Sequence, residues 1–314
     1  MFINTVAHYL PTRIISNDYF LNVNGLTDQW ILERTGIKER RRVAENENTN
    51  TMAIAAIEAA ITNLPYPIQD VDIIIGALYS PYDTVATVAH VVQQKYKIEN
   101  AVTMLITTAC SSFINAVEIC QGYFAINKAS KALIITSECN SLYSQDTDPM
   151  SGHLWGDGAA VTFVSKEKVA DSDMQILDCV THGLGHVGKG PDGVFLVPKK
   201  VGLEMPFGKD VFIHACNYMR SVTEEILKKC NTTIEEVALL IPHQANMRII
   251  TNMIDQLKFP MEKVVINIDR LGNTGAASTP IGLSENKQRL KKGDKVILTV
   301  FGGGYSSGAL MIKV

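Results

Sequence analysis

The sequence predicts an α/β protein assembled from two similar halves, and three observations point there. Short β-branched apolar runs alternate with helical stretches along the whole chain. The order of these segments in the second part repeats the order in the first. The interval from Gly76 to Cys110 nearly equals that from Ile241 to Asn273, so Cys110 and Asn273 are expected at equivalent strand-to-helix corners. The halves are taken as residues 1–168, with the cysteine, and 169–314, with His243 and Asn273. If they pack about a pseudo-twofold axis, both corners converge on one cleft at the ends of buried strands, where α/β folds bind ligands.

Residues 1–20 read as a strand and turn punctuated by Pro11. Residues 26–36 open on a Thr/Asp cap, continue as a helix and close on Gly36. Lys38, Arg40, Arg41 and Arg42 then form the most basic cluster, a pattern expected on a solvated surface. The Ala/Ile-rich stretch 51–64 is a helix stopped by Pro65 and Pro67. Strand 71–77, helix 85–96, strand 101–106, helix 110–126 and strand 131–137 follow. A Gly156-Asp157-Gly158 turn leads into strand 159–164, and Asp157 is read as organising that loop. In the second half, strand 175–180 passes through the Gly-rich stretch 183–193 to a helix at 211–230. Strand 237–241, helix 247–257, strand 264–268, a helix from about residue 276 and strands 295–300 and 309–314 complete the correspondence.

Composition narrows the function. The 314 residues are 46% hydrophobic and 19% charged, an ordinary globular balance, long enough for one large or two medium domains. With 29 basic and 32 acidic residues, net −3, the chain has no global attraction for nucleic acid or an anionic membrane. The opening residues carry no basic leader and no apolar run is long enough to span a bilayer, so a cytoplasmic location is the default expectation. Six scattered cysteines read as reduced thiols, without a paired metal motif.

Cys110 follows a buried strand and is placed in the first turn of a helix, among Thr108, Ala109, Ser111 and Ser112. The free N–H groups and positive end of that helix are expected to favour a thiolate, and the small neighbours leave room for substrate. His243 also leaves a strand and enters a helix, in Pro242-His243-Gln244-Ala245-Asn246. Asn273 lies among small residues in Gly272–Ser278, where it serves either as a cap or as a side chain directed into a cavity. The run Phe301-Gly302-Gly303-Gly304 leads to another strand, which counts against a phosphate loop but lets a backbone N–H reach a reacting oxygen. Trp30 and Arg34, one helical turn apart, form an aromatic plate beside a cation that suits a phosphorylated, nucleotide-bearing ligand. A metal site at His182 and His186 lacks a third ligand.

Together, Thr108–Phe113, Pro242–Asn246, Gly272–Ser278, Phe301–Gly304 and the Trp30–Ile37 segment resemble the β-ketoacyl-acyl carrier protein synthase III family, in the family's order and from near residue 11 onward. The resemblance implies a thiolase-like fold of duplicated halves in five αβαβα layers, normally homodimeric. It implies that Cys110 takes the acyl group from an acyl thioester, usually acyl-CoA, and that His243 and Asn273 hold malonyl-acyl carrier protein as it decarboxylates. The N–H groups of Cys110 and Gly303 would form the oxyanion hole, and no metal or redox cofactor is called for. Trp30, Arg34 and Arg248 match positions along the CoA and phosphopantetheine channel, and an outer basic face would meet acidic carrier protein.

Several positions depart from the family pattern. Asn4-Thr5-Val6-Ala7 replaces a Gly-x-Gly, Ser112 replaces a glycine, and no arginine lies between Asn140 and Trp155 to cover adenine. Val85 stands where an aromatic residue often closes the primer pocket, and Tyr305-Ser306-Ser307 replaces a bulkier segment. These changes point to a primer other than acetyl, in fatty-acid initiation or a related specialised pathway. Two other readings stay open: a non-decarboxylating acyltransferase and a non-catalytic carrier-protein-binding synthase partner. A degradative thiolase would carry a second cysteine in Gly302–Gly308, which has none.

Overall fold

A computed structural model describes residues 1–198 and 202–314. In chain order, the elements are β1 (Phe2–Tyr9), β2 (Arg13–Ser16), α1 (Asp18–Asn24), α2 (Asp28–Thr35), β3 (Glu39–Arg42), α3 (Thr49–Ile61), β4 (Ile73–Ala77), α4 (Val88–Tyr96), β5 (Val102–Ile106), α5 (Ser112–Ala125), β6 (Lys131–Cys139) and β7 (Asp157–Ser165). They continue as β8 (Met174–Gly183), β9 (Phe195–Val197), β10 (Gly202–Glu204), α6 (Gly208–Lys229), β11 (Val237–Pro242), α7 (Met247–Leu257), α8 (Ile268–Leu271), α9 (Ser278–Asn286), β12 (Lys295–Gly302) and β13 (Ser306–Lys313).

The main sheet among the described residues has nine strands in the order β11-β12-β13-β8-β1-β7-β6-β4-β5. It consists of two arms joined where β1 and β8 pair through Phe2↔Gln175 and Ile3↔Met174 alone. Strand alternation fixes what each arm faces. In the first arm Ile73, Ile75, Ala132 and Ile134 face a core shared with α5, while Ile74, Leu133 and Ile135 face α3 and α4. In the second, Val296, Leu298, Leu310 and Ile312 face the shared core, while Ile297, Ala309 and Met311 face α6 and α7. Helices α5 and α9 each touch strands of both arms. The five layers α3/α4, sheet, α5/α9, sheet, α6/α7 follow, as the thiolase-like expectation requires.

Strands buried on both faces read as continuous apolar runs, which is why Ile73-Ile74-Ile75 belongs in a sheet interior. The helices start at polar caps: Asn48 accepts from Asn50 and Thr51 N–H ahead of α3, Thr27 from Trp30 N–H ahead of α2, and Asn246 from Arg248 N–H ahead of α7.

Three expectations are corrected. The strand expected at 264–268 is absent: Val265 N–H reaches Leu240 at 2.9 Å, but Val264 makes a single bridge and the chain turns into α8. The buried Asn267 side chain holds that turn, donating to Glu285 at 3.0 Å. Helix α5 begins at Ser112, which leaves Cys110 on the turn before it. The basic run is not a solvated surface, because β3 aims alternate residues inward and buries Arg40 and Arg42. Arg40 donates to Ile15 O at 3.0 Å, Asn17 Oδ1 at 2.9 Å and His153 O at 2.7 Å, and its guanidinium stacks on Phe20. Arg42 forms a fork with Asp146, both bonds 2.7 Å. Arg40→Met would leave these buried acceptors unpaired and is expected to lower stability by about 3 kcal/mol, measured by urea unfolding.

Candidate active site

The nucleophile turn is held from both sides. Ala109 adopts a left-handed φ of 51°, a conformation costly for a side-chain-bearing residue and retained where surrounding contacts over-determine it. Thr108 N–H donates to Ser112 Oγ at 2.9 Å, Ser111 Oγ donates to Thr108 O at 2.7 Å, and Ser306 Oγ reaches the same carbonyl at 3.1 Å. Ser111 and Ser306 Oγ are themselves 2.6 Å apart, which ties the turn to the start of β13. At Gly302 a Cβ would stand 2.7 Å from Thr108 O, so this approach requires glycine. The result places Gly303 and Cys110 on the wall of one cavity.

Cys110 lines an inner cavity of about 330 Å³ with Tyr79, Trp155, Leu196, Leu203 and Gly303. Its expected thiolate character is not the resting state. Burial pushes the thiol up to about 12, the charge of Glu138 adds to the rise, and the Gly303 N–H and Tyr79 hydroxyl oppose it. Desolvation outweighs the pull expected of the helix terminus.

His243 leaves β11 and is fixed by its own N–H to Thr299 O at 2.8 Å. Its Nδ1 lies 2.7 Å from Ser278 Oγ, the first residue of α9. Burial lowers the imidazole to about 4, so the ring is neutral at physiological pH. If the Ser278 hydroxyl donates to Nδ1, the ring proton sits on Nε2, available to a substrate carbonyl.

Asn273 is 5% exposed and paired through its backbone: its N–H donates to Leu154 O at 2.8 Å and its carbonyl accepts Gly156 N–H at 3.0 Å. Its side-chain Oδ1 accepts Gly275 N–H at 2.9 Å, which leaves the amide NH₂ as the donor half. Asn273 lines an outer cavity of about 360 Å³ together with Trp30, Arg34, Phe212 and Arg248. Trp155 of the inner cavity bridges to Asn273 of the outer one, so the cavities share a wall. Arg34 stacks 4.5 Å over the Trp30 ring, and Arg248 lies 5.8 Å from the Phe212 ring. Helix α2 packs on the start of α7, which brings the two arginines to one mouth.

Two expected pocket residues lie elsewhere in this chain. Val85 is 83% exposed on the loop before α4 and lines neither cavity. Tyr305 is buried outside the cavity wall: its ring meets Phe301 and His214, and its hydroxyl donates to Asp210 at 2.7 Å. It packs beside Gly193 and so supports the Val194–Leu196 wall from behind. His182 pairs with Glu225 at 2.7 Å, and among the described residues no three metal-ligating side chains cluster. Asp157 accepts from Val43 and Ser141 N–H, each at 2.9 Å, and so organises its loops as expected.

Sequence reasoning missed Glu138 and Tyr79. Fully buried at the end of β6, Glu138 accepts Tyr79 and Ser80 N–H at 3.3 and 3.0 Å and bonds the Ser80 hydroxyl. Burial raises its carboxyl to about 8 despite these bonds. A buried acid in a strand was the signal available.

These groups set the pH dependence of stability. His243 and His153 stay neutral down to about 4, whereas the unfolded chain protonates them below about 6.5, so the stability they contribute is full above 6.5 and lost as pH falls towards 4. Glu138 keeps its proton up to about 8 while the unfolded chain releases it near 4.5, so its contribution is lost as pH rises through that range. Urea unfolding should show stability falling as pH drops from 6.5 towards 4, and Glu138→Gln should flatten the loss between about pH 6.5 and 8, below the range where the raised cysteine thiols add their own.

A five-layer sandwich of two sheet arms, with a cysteine at the head of a central helix, defines the thiolase-like class of condensing enzymes. The profile described as 3-oxoacyl-[acyl-carrier-protein (ACP)] synthase III matches residues 105–185, and that of its C terminal matches residues 227–314. The β-ketoacyl-[acyl-carrier-protein] synthase III of Clostridium perfringens (strain SM101 / Type A) is 35% identical over 98% of this chain and 97% of its own. That of Nitratidesulfovibrio vulgaris (strain DP4) is 33% identical over 97% and 96%. The crystal structure of 3-oxoacyl-[acyl-carrier-protein] synthase III from Aquifex aeolicus VF5 superposes with a TM-score of 0.92 at 33% identity, covering 100% of this chain and 99% of that one. The chain belongs to the 3-oxoacyl-[acyl-carrier-protein] synthase III family.

Proposed function

We propose that this protein condenses an acyl thioester primer, on CoA, with malonyl-acyl carrier protein, losing carbon dioxide and giving β-ketoacyl-acyl carrier protein as in fatty-acid initiation. The observation that carries this reading is Cys110 and Gly303 lining one cavity, behind a wall shared with Asn273. Cys110, its thiol proton given to solvent, attacks the primer carbonyl, the carbon–sulfur bond to CoA breaks, and CoA takes a proton from solvent to leave as its free thiol. The Cys110 and Gly303 N–H groups bear the oxyanion of each tetrahedral intermediate. The malonyl thioester carbonyl then takes hydrogen bonds from His243 Nε2 and the Asn273 amide. Decarboxylation leaves an enolate that these neutral donors stabilise; its carbon attacks acyl-Cys110, the acyl carbon–sulfur bond breaks, and the cysteine takes a proton from solvent to return as thiol. A cationic imidazole is not needed, in keeping with the low basicity of His243. The chemistry uses no metal or redox cofactor.

Trp30, Arg34 and Arg248 serve the CoA and phosphopantetheine arm, and Arg34, Lys209 and Arg248 at the outer mouth give acidic carrier protein a cationic rim. The working form is a homodimer in the cytoplasm. Edge strand β5, only partly buried along Val102–Ile106, supports this, because an apolar unpaired edge is a template for a second copy. Among the described residues no helix is long and apolar enough to cross a membrane. Incubation with acyl-CoA, digestion and mass spectrometry tests the proposal: one acyl group should map to the Cys110 peptide and leave it on adding malonyl-acyl carrier protein. The same adduct on Cys110→Ala protein would contradict the mechanism.

A further inference from the structure

Tyr79 follows β4 and lines the inner cavity beside Cys110. Its hydroxyl presses on the turn that holds Asn273, since a Cβ on Gly275 would stand 2.5 Å from that oxygen. The backbone behind it is fixed by Glu138, and Ser80 Oγ accepts Cys139 N–H at 2.9 Å. The hydroxyl is sealed from solvent and lacks a partner in ordinary hydrogen-bond geometry, although buried donors are nearly always paired. The groups that face it are the Asn140 side chain and the Cys110 sulfur, which lines the same cavity.

Resting on the condensing reading above, we propose that Tyr79 is a catalytic residue whose phenolic O–H donates to the Cys110 sulfur in its thiolate form and holds that anion ready for acyl transfer. A thiol sulfur is a weak acceptor and a thiolate a strong one, so the donor favours the reactive form selectively. Tyr79 keeps its own proton throughout, because burial raises its phenol well above the ordinary range. In the step itself the Cys110 thiol first gives its proton to solvent, the sulfur–carbonyl bond then forms, the carbonyl–CoA sulfur bond breaks, and the departing CoA thiolate takes a proton from solvent.

Tyr79→Phe removes the donor and keeps the ring. Alkylation of Cys110 by iodoacetamide, followed on the full chain from pH 6 to 11, reads the thiolate without using the oxyanion hole. The variant is expected to alkylate about tenfold more slowly at every pH in this range, which lies below the Cys110 inflection at about 12. Other titratable influence on the sulfur comes from Glu138 on β6, which both proteins retain. An unchanged alkylation profile in a variant with unaltered circular dichroism would overturn the proposal. To exclude a merely structural effect, Ser80→Ala, which loosens the loop but keeps the phenol, should slow alkylation less than Tyr79→Phe; an equal slowing would also overturn it. Wild-type protein that alkylates rapidly yet takes no acyl group from acyl-CoA would count against the condensing reading and leave the tyrosine comparison standing.

Discussion

Cys110→Ala is expected to lower condensation by more than about 10³-fold and to abolish the acyl adduct, while the variant still binds acyl-CoA at its outer cavity. Without the sulfur, no atom of the chain can retain the primer after CoA leaves. The substitution removes little packing, because Cys110 lines an open cavity on a turn fixed by Thr108, Ser111, Ser112 and Ser306 rather than by its own side chain. Thermal unfolding should therefore change little. Malonyl-acyl carrier protein should still lose carbon dioxide slowly, since His243 and Asn273 remain. Parallel assays of primer uptake, product and carbon dioxide check all three, and a variant condensing at a tenth of the wild-type rate would remove Cys110 from the mechanism.

His243→Ala and Asn273→Ala should show the converse pattern. Each removes a donor aimed at charge that develops during decarboxylation, a loss of about 10²–10³ in turnover for a single such donor. Acylation of Cys110 should persist within a few-fold, because that step uses the Cys110 and Gly303 N–H groups. The two losses should combine to less than their product, since both groups hold one oxygen. Asn273 also anchors its turn through Oδ1 to Gly275 N–H, so Asn273→Asp, which keeps that acceptor and replaces the NH₂ donor, separates anchoring from catalysis. Rates of acylation and carbon dioxide release in single turnovers check the division.

Much of the fold was legible because its signals are local. Helix α7 falls on residues 247–257 as read, since Asn246 caps a strongly amphipathic stretch. The β-branched runs located β4, β6, β11 and β12 within about two residues of their ends. What failed depends on partners distant in sequence. Nothing near Val264 says that its strand has a single bridge to Leu240, or that Asn267 will be claimed by Glu285. The inward turn of Arg40 and Arg42 requires acceptors at Ile15, Asn17, His153 and Asp146.

The site divides the same way. Cys110, His243 and Asn273 stood out because each sits in a short stretch of small or polar residues after an apolar run. The protonation of Cys110 did not, because Glu138 acts on it across the fold and burial depends on the whole cavity. Tyr79 carries no local signal: one tyrosine after a strand is ordinary until its hydroxyl is found against Gly275. Val85 and Tyr305 were placed by position in a pattern, and a pattern does not say which way a side chain points.

The central claim is that one centre both stores the primer on sulfur and decarboxylates the extender. It is tested most directly by mixing purified acyl-Cys110 enzyme with one equivalent of malonyl-acyl carrier protein labelled in its free carboxyl. Labelled carbon dioxide should appear in equal amount to β-ketoacyl-acyl carrier protein, and at the rate at which the acyl group leaves the cysteine. Acyl transfer to carrier protein with the label retained would contradict the account.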